Sequence, residues 1–448
     1  MRGRRARRLT VFAAVMLAVA AIGTPTVASA QGGGAGDDEP LQATDVGITE
    51  DEIRIAVIAD VENPLQPGLF QGAPDAINGF AEYINDNGGL AGRRLVVDFI
   101  DSHLSADDTR NAIVQACEND FAIVGSAALF VNNVDDMVSC PDAQGQPIGI
   151  PDFPVLTTEP VHQCSPVSRP INPPTLDCAT IDQHPQTYRG NIGATDYYLR
   201  RFGDLKGVFL YPSDLKAAKD AQVPNFTAQL EAGIELDAEY DISARAQQSA
   251  YTPIAQQMKT DGTTYARSGL AYSSTITLRK EAKLQGVDSV KVWDCSLQCY
   301  NRQLLEQGGA DIEGQFVYMN FVPFFTESNF NDMTKAFVKY VGKNKVDGFS
   351  AQAWAAGVYF RDAVNAVVEQ NGPNALTREA LLQAASNIND FTAGGLMAPT
   401  DVGDRVPGAC YAVVQVQDGT FKRVYPKKKG AFDCKSELVT LELDLITG

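Results

Sequence analysis

The sequence is poor in the side chains that catalysis most often uses. It has only three histidines, His103, His162 and His184, in 448 residues. It has no serine in a nucleophile-elbow pattern, no phosphate-binding glycine loop and no Cys-x-x-Cys redox pair, since Cys295 and Cys299 are one residue too far apart. Because no acid, base and nucleophile can be assembled from these residues, we expect a protein that is not an enzyme.

Long apolar runs are equally scarce, and the longest lies near the start. Residues 2–8 carry five arginines, residues 11–22 are apolar, and residues 28–30 (Ala-Ser-Ala) form a small-residue cleavage site. These three parts are typical of a cleaved export signal, and the apolar run is too short to span a bilayer comfortably. We therefore predict that residues 1–30 are a signal peptide and that the mature protein is extracytoplasmic, either secreted or periplasmic. No cysteine follows the small residues, so we expect no lipid anchor.

Basic residues are outnumbered by acidic ones, 37 against 55, and the formal net charge is −18. Loss of residues 1–30, which hold five arginines and no acidic residue, lowers the net charge to −23. Such a chain lacks the general basic surface that nucleic acids require, so we expect no nucleic-acid partner. The mature length exceeds what one hydrophobic core usually serves, so we expect two domains.

Eight cysteines in an exported chain favour disulfides. Eight cysteines allow about 105 pairings, and the sequence alone does not choose among them. Proximity in the sequence favours four local pairs: Cys117 with Cys140, Cys164 with Cys178, Cys295 with Cys299, and Cys410 with Cys434.

A metal site is the alternative use of some of these side chains. His162, Cys164, Cys178 and His184 are ligand types within one proline-rich insertion. Their spacing matches no zinc pattern, and a cysteine pair in an exported protein more often forms a bridge. We expect no metal and no cofactor, and free thiols in this insertion would revive the metal hypothesis.

A strand, a helix and a second strand begin the folded part, after a Gly-rich acidic segment at 31–47 that we predict to be a disordered linker. Residues 53–59 form a buried apolar run, and residues 77–84 place apolar side chains on one helix face. Gly88, Gly89 and Gly92 then stop the helix before a strand at 94–100. This order predicts a right-handed crossover in a parallel sheet.

The same alternation of strands and helices continues along the chain. We predict a strand at 122–124 followed by a helix at 128–138, and a second α/β series from Gly207 in which one strand runs from Gly269 to Tyr272. The chain closes with a hairpin whose strands, 411–416 and 421–425, are joined by an Asp-Gly turn.

Several of these segments resemble type I periplasmic solute-binding proteins, in the branched-chain amino acid (Leu/Ile/Val) receptor branch. The resemblance begins with GITEDEIRI at 47–55 and Asn-x-x-Gly-Gly-x-x-Gly-Arg-x-Leu at 85–95. It continues with AIVGS at 122–126, PVLTT at 154–158 and the segment 207–214, and covers nearly the whole mature chain, from about Val46 to Tyr425.

This resemblance implies an α/β fold of two doubly wound parallel-sheet lobes joined by three crossover strands. The implied N-terminal lobe comprises 48–188 plus 320–403, and the C-terminal lobe comprises 189–319 plus 404–448. The crossovers are expected near residues 188–191, 318–321 and 403–409. The implied function is that of a monomeric solute-binding protein of an ABC importer, which captures an amino acid or related small molecule between hinged lobes and delivers it to a membrane permease. A ligand sensor that is not coupled to transport is the alternative role.

Four candidate contacts are expected in the first lobe. Ser126 and Ala127 would begin the helix after the third strand and hold a ligand carboxylate through N–H groups and the Ser126 hydroxyl. The alternative is that Ser126 only caps that helix. Thr157 and Thr158 follow the next strand, where the family places further ligand contacts, but threonines are also common loop formers.

Two candidates are expected in the second lobe. Tyr272 would end a strand and cover the ligand, unless it is a core tyrosine. Asp294 would pair with a ligand ammonium, unless it is an ordinary loop carboxylate.

The sequence also departs from the family pattern. Ser126 is followed by two alanines where a second serine is expected, and the tyrosine expected after Asp214 is missing. Both departures weaken the case for an α-amino acid. Four aromatic residues, Phe70, Phe130, Trp293 and Phe321, would suit an apolar or aromatic solute, so amides and aromatic acids are the alternative ligands.

Overall fold

The computed structural model describes residues 39–63 and 66–446. Its thirteen strands are β1 Glu52–Ala59, β2 Arg94–Asp101, β3 Ala122–Val124, β4 Asp152–Phe153, β5 Gln186–Asn191, β6 Lys206–Pro212, β7 Glu235–Ile242, β8 Tyr265–Ser268, β9 Val292–Asp294, β10 Phe316–Met319, β11 Ala412–Gln417, β12 Thr420–Tyr425 and β13 Leu438–Leu443. Its α-helices are α1 Gly72–Asp86, α2 Ala106–Asn119, α3 Asp135–Val138, α4 Pro160–Gln163, α5 Gly193–Phe202, α6 Lys216–Glu231, α7 Thr252–Asp261, α8 Tyr272–Gln285, α9 Arg302–Gly308, α10 Phe324–Glu327, α11 Asp332–Val341, α12 Gly348–Asn371 and α13 Arg378–Ala385.

The first sheet has four parallel strands in the order β2-β1-β3-β4. Its central strand β1 is apolar on both faces. Ile55 and Val57 belong to the core that α1 and α12 cover, whereas Ala56 and Ile58 belong to the core under α2. A strand covered on both faces needs a nearly continuous apolar run, which explains the composition of residues 53–59.

The second sheet repeats this order with β7-β6-β8-β9, again all parallel. Phe209 and Tyr211 of β6 pack in the core with α5 and α6, and Val208 and Leu210 pack in the core with α7 and α8. Two doubly wound parallel sheets confirm the predicted α/β fold class.

The chain passes between the two sheets through segments outside them. β5 leads from the first sheet to the second and pairs with the antiparallel strand β13. β10 pairs with the β11–β12 hairpin, and the helices α11 and α12 that follow β10 pack on α1 of the first sheet. The predicted crossover segments therefore lie in β5, at the end of β10 and in the loop before β11. The exact lobe limits stay a prediction.

The first helix and the glycine stop agree with the sequence. α1 begins at Gly72 and ends at Asp86, and Gly88, Gly89 and Gly92 all have positive φ. At Gly89, a Cβ atom would lie 2.3 Å from the carbonyl oxygen of Arg93. No larger residue fits this tight connection between α1 and β2.

Two predicted elements are wrong. The helix expected at 128–138 is reduced to Asp135–Val138, because the chain after β3 bonds to the end of β1: the Ala127 N–H donates to the Ile58 carbonyl at 2.8 Å. The strand expected to end at Tyr272 ends at Ser268, and Tyr272 is the first residue of α8.

The start of the described chain also differs from the linker prediction. The Arg93 Nη2 atom donates to the Gln42 carbonyl at 2.8 Å, and Asp45 is buried and accepts from the backbone N–H of Arg378 at 2.7 Å. These bonds attach residues 42–45 to the folded body. The predicted signal peptide, residues 1–30, lies outside the described residues.

All four predicted disulfides are present, joining Cys117 to Cys140, Cys164 to Cys178, Cys295 to Cys299, and Cys410 to Cys434. The Cys164–Cys178 bond removes two thiolates from the proposed metal set. The closing hairpin is also confirmed, with Asp418 and Gly419 at φ 54° and 70° in its turn. Among the described helices, none has both the length and the apolar character that crossing a membrane requires.

Candidate functional site

A cleft lies between the two parallel sheets, at the carboxyl ends of their strands. Its walls include residues 155–158 after β4 on one side, and Pro212 at the end of β6, Leu215 and Leu270 on the other. Open parallel sheets bind ligands at this edge, where the chain leaves the strands as loops. The cleft is therefore the candidate site.

One part of the cleft, which we name the apolar compartment, is a cavity of about 300 Å³. Most of its large side chains are aliphatic or aromatic and come from both walls, and the amide side chains of Gln66, Gln222, Asn225 and Gln298 also line it. The aliphatic and aromatic side chains are Leu69, Phe70, Leu129, Leu156 and Phe349 on the side of the first sheet, and Pro212, Leu215 and Leu270 on the side of the second. At the same edge, the Ser273 hydroxyl lies 3.4 Å from the Gln66 side-chain oxygen and joins the two walls directly.

The other part, which we name the polar compartment, is a cavity of about 310 Å³ beside β5 and β10. Its polar lining residues include Asn172, Arg189, Asn191, Tyr318, Asn320 and Gln352. Six residues line both compartments, so the two form one continuous cleft: Leu156, Thr157, Ala221, Asn225, Gln298 and Phe349.

Several hydrogen-bonding groups of the polar compartment are available to a ligand. The hydroxyl groups of Tyr318 and Thr157 and the side-chain amide of Gln352 make no hydrogen bond to any other described residue. Burial raises the pKa of Tyr318 to about 12, so its hydroxyl remains a donor. Asn172 is held in place by the Asn320 amide at 3.0 Å, which leaves the Asn172 amino group free to donate.

Charge is almost absent from the cleft. Arg189 is the only residue with a formal charge at neutral pH among the described residues that line either compartment. Its Nη2 atom donates to the Asp177 carboxylate at 2.9 Å, so this cation already has a partner.

The two candidate residues after β3, Ser126 and Ala127, form hydrogen bonds within the protein itself. The Ser126 hydroxyl accepts from the Ile58 N–H at 3.0 Å, and the Ala127 N–H donates to the Ile58 carbonyl. Both residues are buried, and neither lines the cleft. Without a helix at this position, the geometry does not support the carboxylate site predicted there.

The two threonines do reach the cleft. Thr157 lines both compartments, and Thr158 lines the apolar one. The buried Thr158 hydroxyl donates to the Leu129 carbonyl at 2.6 Å, so this side chain holds two wall segments together. Of the two, Thr157 has the hydroxyl that a solute can use.

Tyr272 lies outside both compartments. It is half-buried against the core of the first lobe, and its hydroxyl is 3.5 Å from the Gln307 amide. Burial raises the pKa of Tyr272, so the phenol stays neutral. This environment is that of a packed tyrosine rather than a lid over a ligand.

Asp294 is enclosed in the second lobe. Its carboxylate accepts from the hydroxyls of Tyr198 at 2.8 Å and Tyr265 at 2.7 Å, and from the Arg267 guanidinium at 2.8 Å. Burial and the adjacent carboxylate raise the pKa of both tyrosines well above the ordinary value, so both remain donors. A ligand ammonium would have to displace these partners, so the predicted pairing gains no support from the geometry.

Sequence reasoning identified Phe70 correctly as a cleft aromatic, but not the amide-rich polar compartment. Phe130, Trp293 and Phe321 do not line either compartment. The amides are distributed over residues 172–352, and no local motif joins them. The polar residues within the three predicted crossover segments were the one sequence signal that could have identified some of these amides.

Comparisons with known proteins agree with this architecture. A model of the periplasmic binding protein family matches residues 52–420. No functionally curated protein matches the sequence significantly.

Solved structures share the fold at low sequence identity. A leucine-binding protein from Thermotoga maritima is 15% identical, with a TM-score of 0.62 over 83% of this chain and 97% of its own. A fatty acid ABC transporter substrate-binding protein from Thermomonospora curvata is 16% identical, with a TM-score of 0.65 over 91% and 96%. An ABC transporter substrate-binding protein from Desulfitobacterium hafniense, in complex with Leu, is 15% identical, with a TM-score of 0.58 over 84% and 100%.

These likenesses show the fold, whereas the family match extends over most of the sequence. The chain therefore belongs to the periplasmic binding protein family, an extracytoplasmic and non-enzymatic family of solute-binding proteins.

Proposed function

We propose that this protein is the solute-binding component of an ABC importer and that it captures a small solute in the cleft between its two parallel sheets. The observation that carries the proposal is the lining of the cleft, to which both walls contribute and in which Tyr318, Thr157 and Gln352 have unused hydrogen-bonding groups. A solute that contacts both walls stabilises the closed arrangement over the open one.

The similar structures leave the solute class open. One is named a leucine-binding protein and another a fatty acid ABC transporter substrate-binding protein. An amino acid, an amide and an organic acid are therefore all candidate solutes for this fold. Neither Ser126 nor Asp294 lines this cleft, so the residues that select the solute are proposed to be Thr157 and the polar compartment.

A thermal-shift screen of the purified protein tests solute binding. A solute at a hundredfold excess over its dissociation constant adds about 2.7 kcal/mol to the free energy of unfolding. Small-angle X-ray scattering should then report a smaller radius of gyration with the same solute. Failure of amino acids, amides and organic acids alike to stabilise the protein would refute the proposal.

Coupling to transport needs a separate measurement. The solute-loaded protein should stimulate ATP hydrolysis by its permease complex in proteoliposomes, and the empty protein should do so less. Binding without stimulation would favour the sensor role. The protein is proposed to act as a monomer, which light scattering of the eluting protein would check against the 48.2 kDa of the full chain.

A further inference from the structure

We propose that the solute has an apolar body and a polar head group that carries no positive charge, such as a carboxylic acid or its amide. This inference rests on the proposed function and names its substrate class. In the bound solute the head group lies in the polar compartment, and the body extends into the apolar compartment.

The described lining of the cleft has no acidic side chain to pair with a cationic head group. Among the described residues that line the two compartments, none is an aspartate or a glutamate. An ammonium group that enters such a cleft gives up its hydration without gaining a carboxylate, and this is strongly unfavourable.

The acidic residues Asp294, Asp177 and Glu159 lie outside the lining of both compartments. Asp294 lies in the second lobe with Arg267 and two tyrosines, and Asp177 accepts from Arg189. Glu159 follows Thr158 in the chain but lines neither compartment, and burial raises the pKa of its carboxyl group. None of these three carboxylates is therefore placed to pair with a solute in the cleft.

The apolar compartment supplies the binding energy for the body of the solute. Leu69, Leu129 and Leu270 face the same cavity as Phe70 and Phe349. A leucine side chain can enter this compartment, but a longer chain fills more of it. Each methylene that leaves water should raise affinity about fourfold until the compartment is full.

The polar compartment selects the head group by hydrogen bonds. Tyr318 and Thr157 supply hydroxyls, Gln352 and Asn172 supply amide N–H groups, and the Gln352 oxygen is an acceptor. A carboxylate can use the donors alone, whereas an amide can use donors and the acceptor. The Arg189 cation is paired with Asp177, so it does not require an anionic head group.

Calorimetric titration with ligands that share one carbon skeleton tests the head group. The probes are leucine, 4-methylpentanoic acid, 4-methylpentanamide and 4-methylpentylamine. We expect the acid or the amide to bind at least about tenfold more tightly than leucine and the amine, because only the latter two bring an unpaired ammonium. Binding of leucine or the amine as tightly as both others would overturn the proposal.

The length of the apolar body is tested with decanoic acid and decanamide, below their aggregation concentrations. We expect at least one of them to bind more tightly than its six-carbon counterpart. If no acid or amide in either series binds, the proposed class is wrong. The proposed function would still stand if an amino acid bound and stabilised the protein, and it would fall if amino acids, amides and organic acids all failed to bind.

A variant provides a test inside the same protein. Gln352→Glu places a carboxylate in the polar compartment at nearly constant volume, and Gln383→Glu adds the same charge at an exposed position of α13 outside the cleft. We expect Gln352→Glu to change the affinity ratio of amine to acid at least about tenfold in favour of the amine. Equal ratios in the two variants, both with unchanged melting temperature, would contradict the placement of the head group.

Discussion

The variant Asp294→Asn separates a structural role of this carboxylate from a role in binding. Asp294 and Arg267 are direct partners across the parallel strands β8 and β9, and their side chains are only 1% and 9% exposed. Asparagine keeps one oxygen that accepts from a tyrosine, but it leaves the Arg267 cation without a counter-charge. Removal of one member of a buried pair costs about 3–5 kcal/mol, so we expect a loss of that size in the free energy of unfolding.

Urea unfolding followed by circular dichroism measures this loss. The double variant Asp294→Asn with Arg267→Met removes both charges and should recover most of the stability, because a buried pair can often be replaced by apolar side chains at little cost. Solute affinity should be unchanged in both variants. The opposite pattern, with normal stability and selective loss of affinity for ammonium-bearing solutes, would refute the structural role and return Asp294 to the binding site.

Three further perturbations test other parts of the structure. Tyr318→Phe should leave the melting temperature unchanged and lower the solute affinity about threefold to tenfold in calorimetric titration, since only a hydrogen bond to the solute is lost. Unchanged affinity would show that this hydroxyl does not contact the solute. Cys164→Ser with Cys178→Ser opens a link across 14 residues and should lower the free energy of urea unfolding by about 3 kcal/mol. Equal stability would show that the insertion is held by other contacts. Burial raises the pKa of Asp120 from 3.8 to about 7, so between these pH values the folded state holds a proton that the unfolded state has lost. The stability that this proton binding contributes is complete at low pH and is lost as the pH rises through 7. Asp120→Asn should therefore melt above the wild type at about pH 8 and lose that advantage near pH 4, and parallel melting profiles of the two proteins would contradict this.

Local patterns were sufficient where one element decides its own structure. The apolar run of β1, the amphipathic face of α1 and the glycines after it form a unit whose parts agree, so the first βαβ crossover follows from them. The closing hairpin is equally local, because Asp418 and Gly419 tolerate the positive φ that its turn requires.

Local patterns failed where distant backbone competes. The segment after β3 has helix-compatible residues, but its N–H and hydroxyl groups bond to Ile58, about 70 positions earlier in the chain. The role of Asp294 likewise depends on the register that places Arg267 opposite it. Neither partner is visible from neighbouring residues, so both candidate sites looked available to a ligand.

By itself, the sequence determined the doubly wound α/β class and the family, and its composition predicted disulfides and export. These properties depend on periodicity, composition and motif order, which are encoded within short segments. The tertiary structure alone decided which side chains face the cleft. Thr157, Tyr318 and Gln352 come from separate parts of the chain, and only the packing of the two sheets with their crossover segments brings them together in a site almost free of charge.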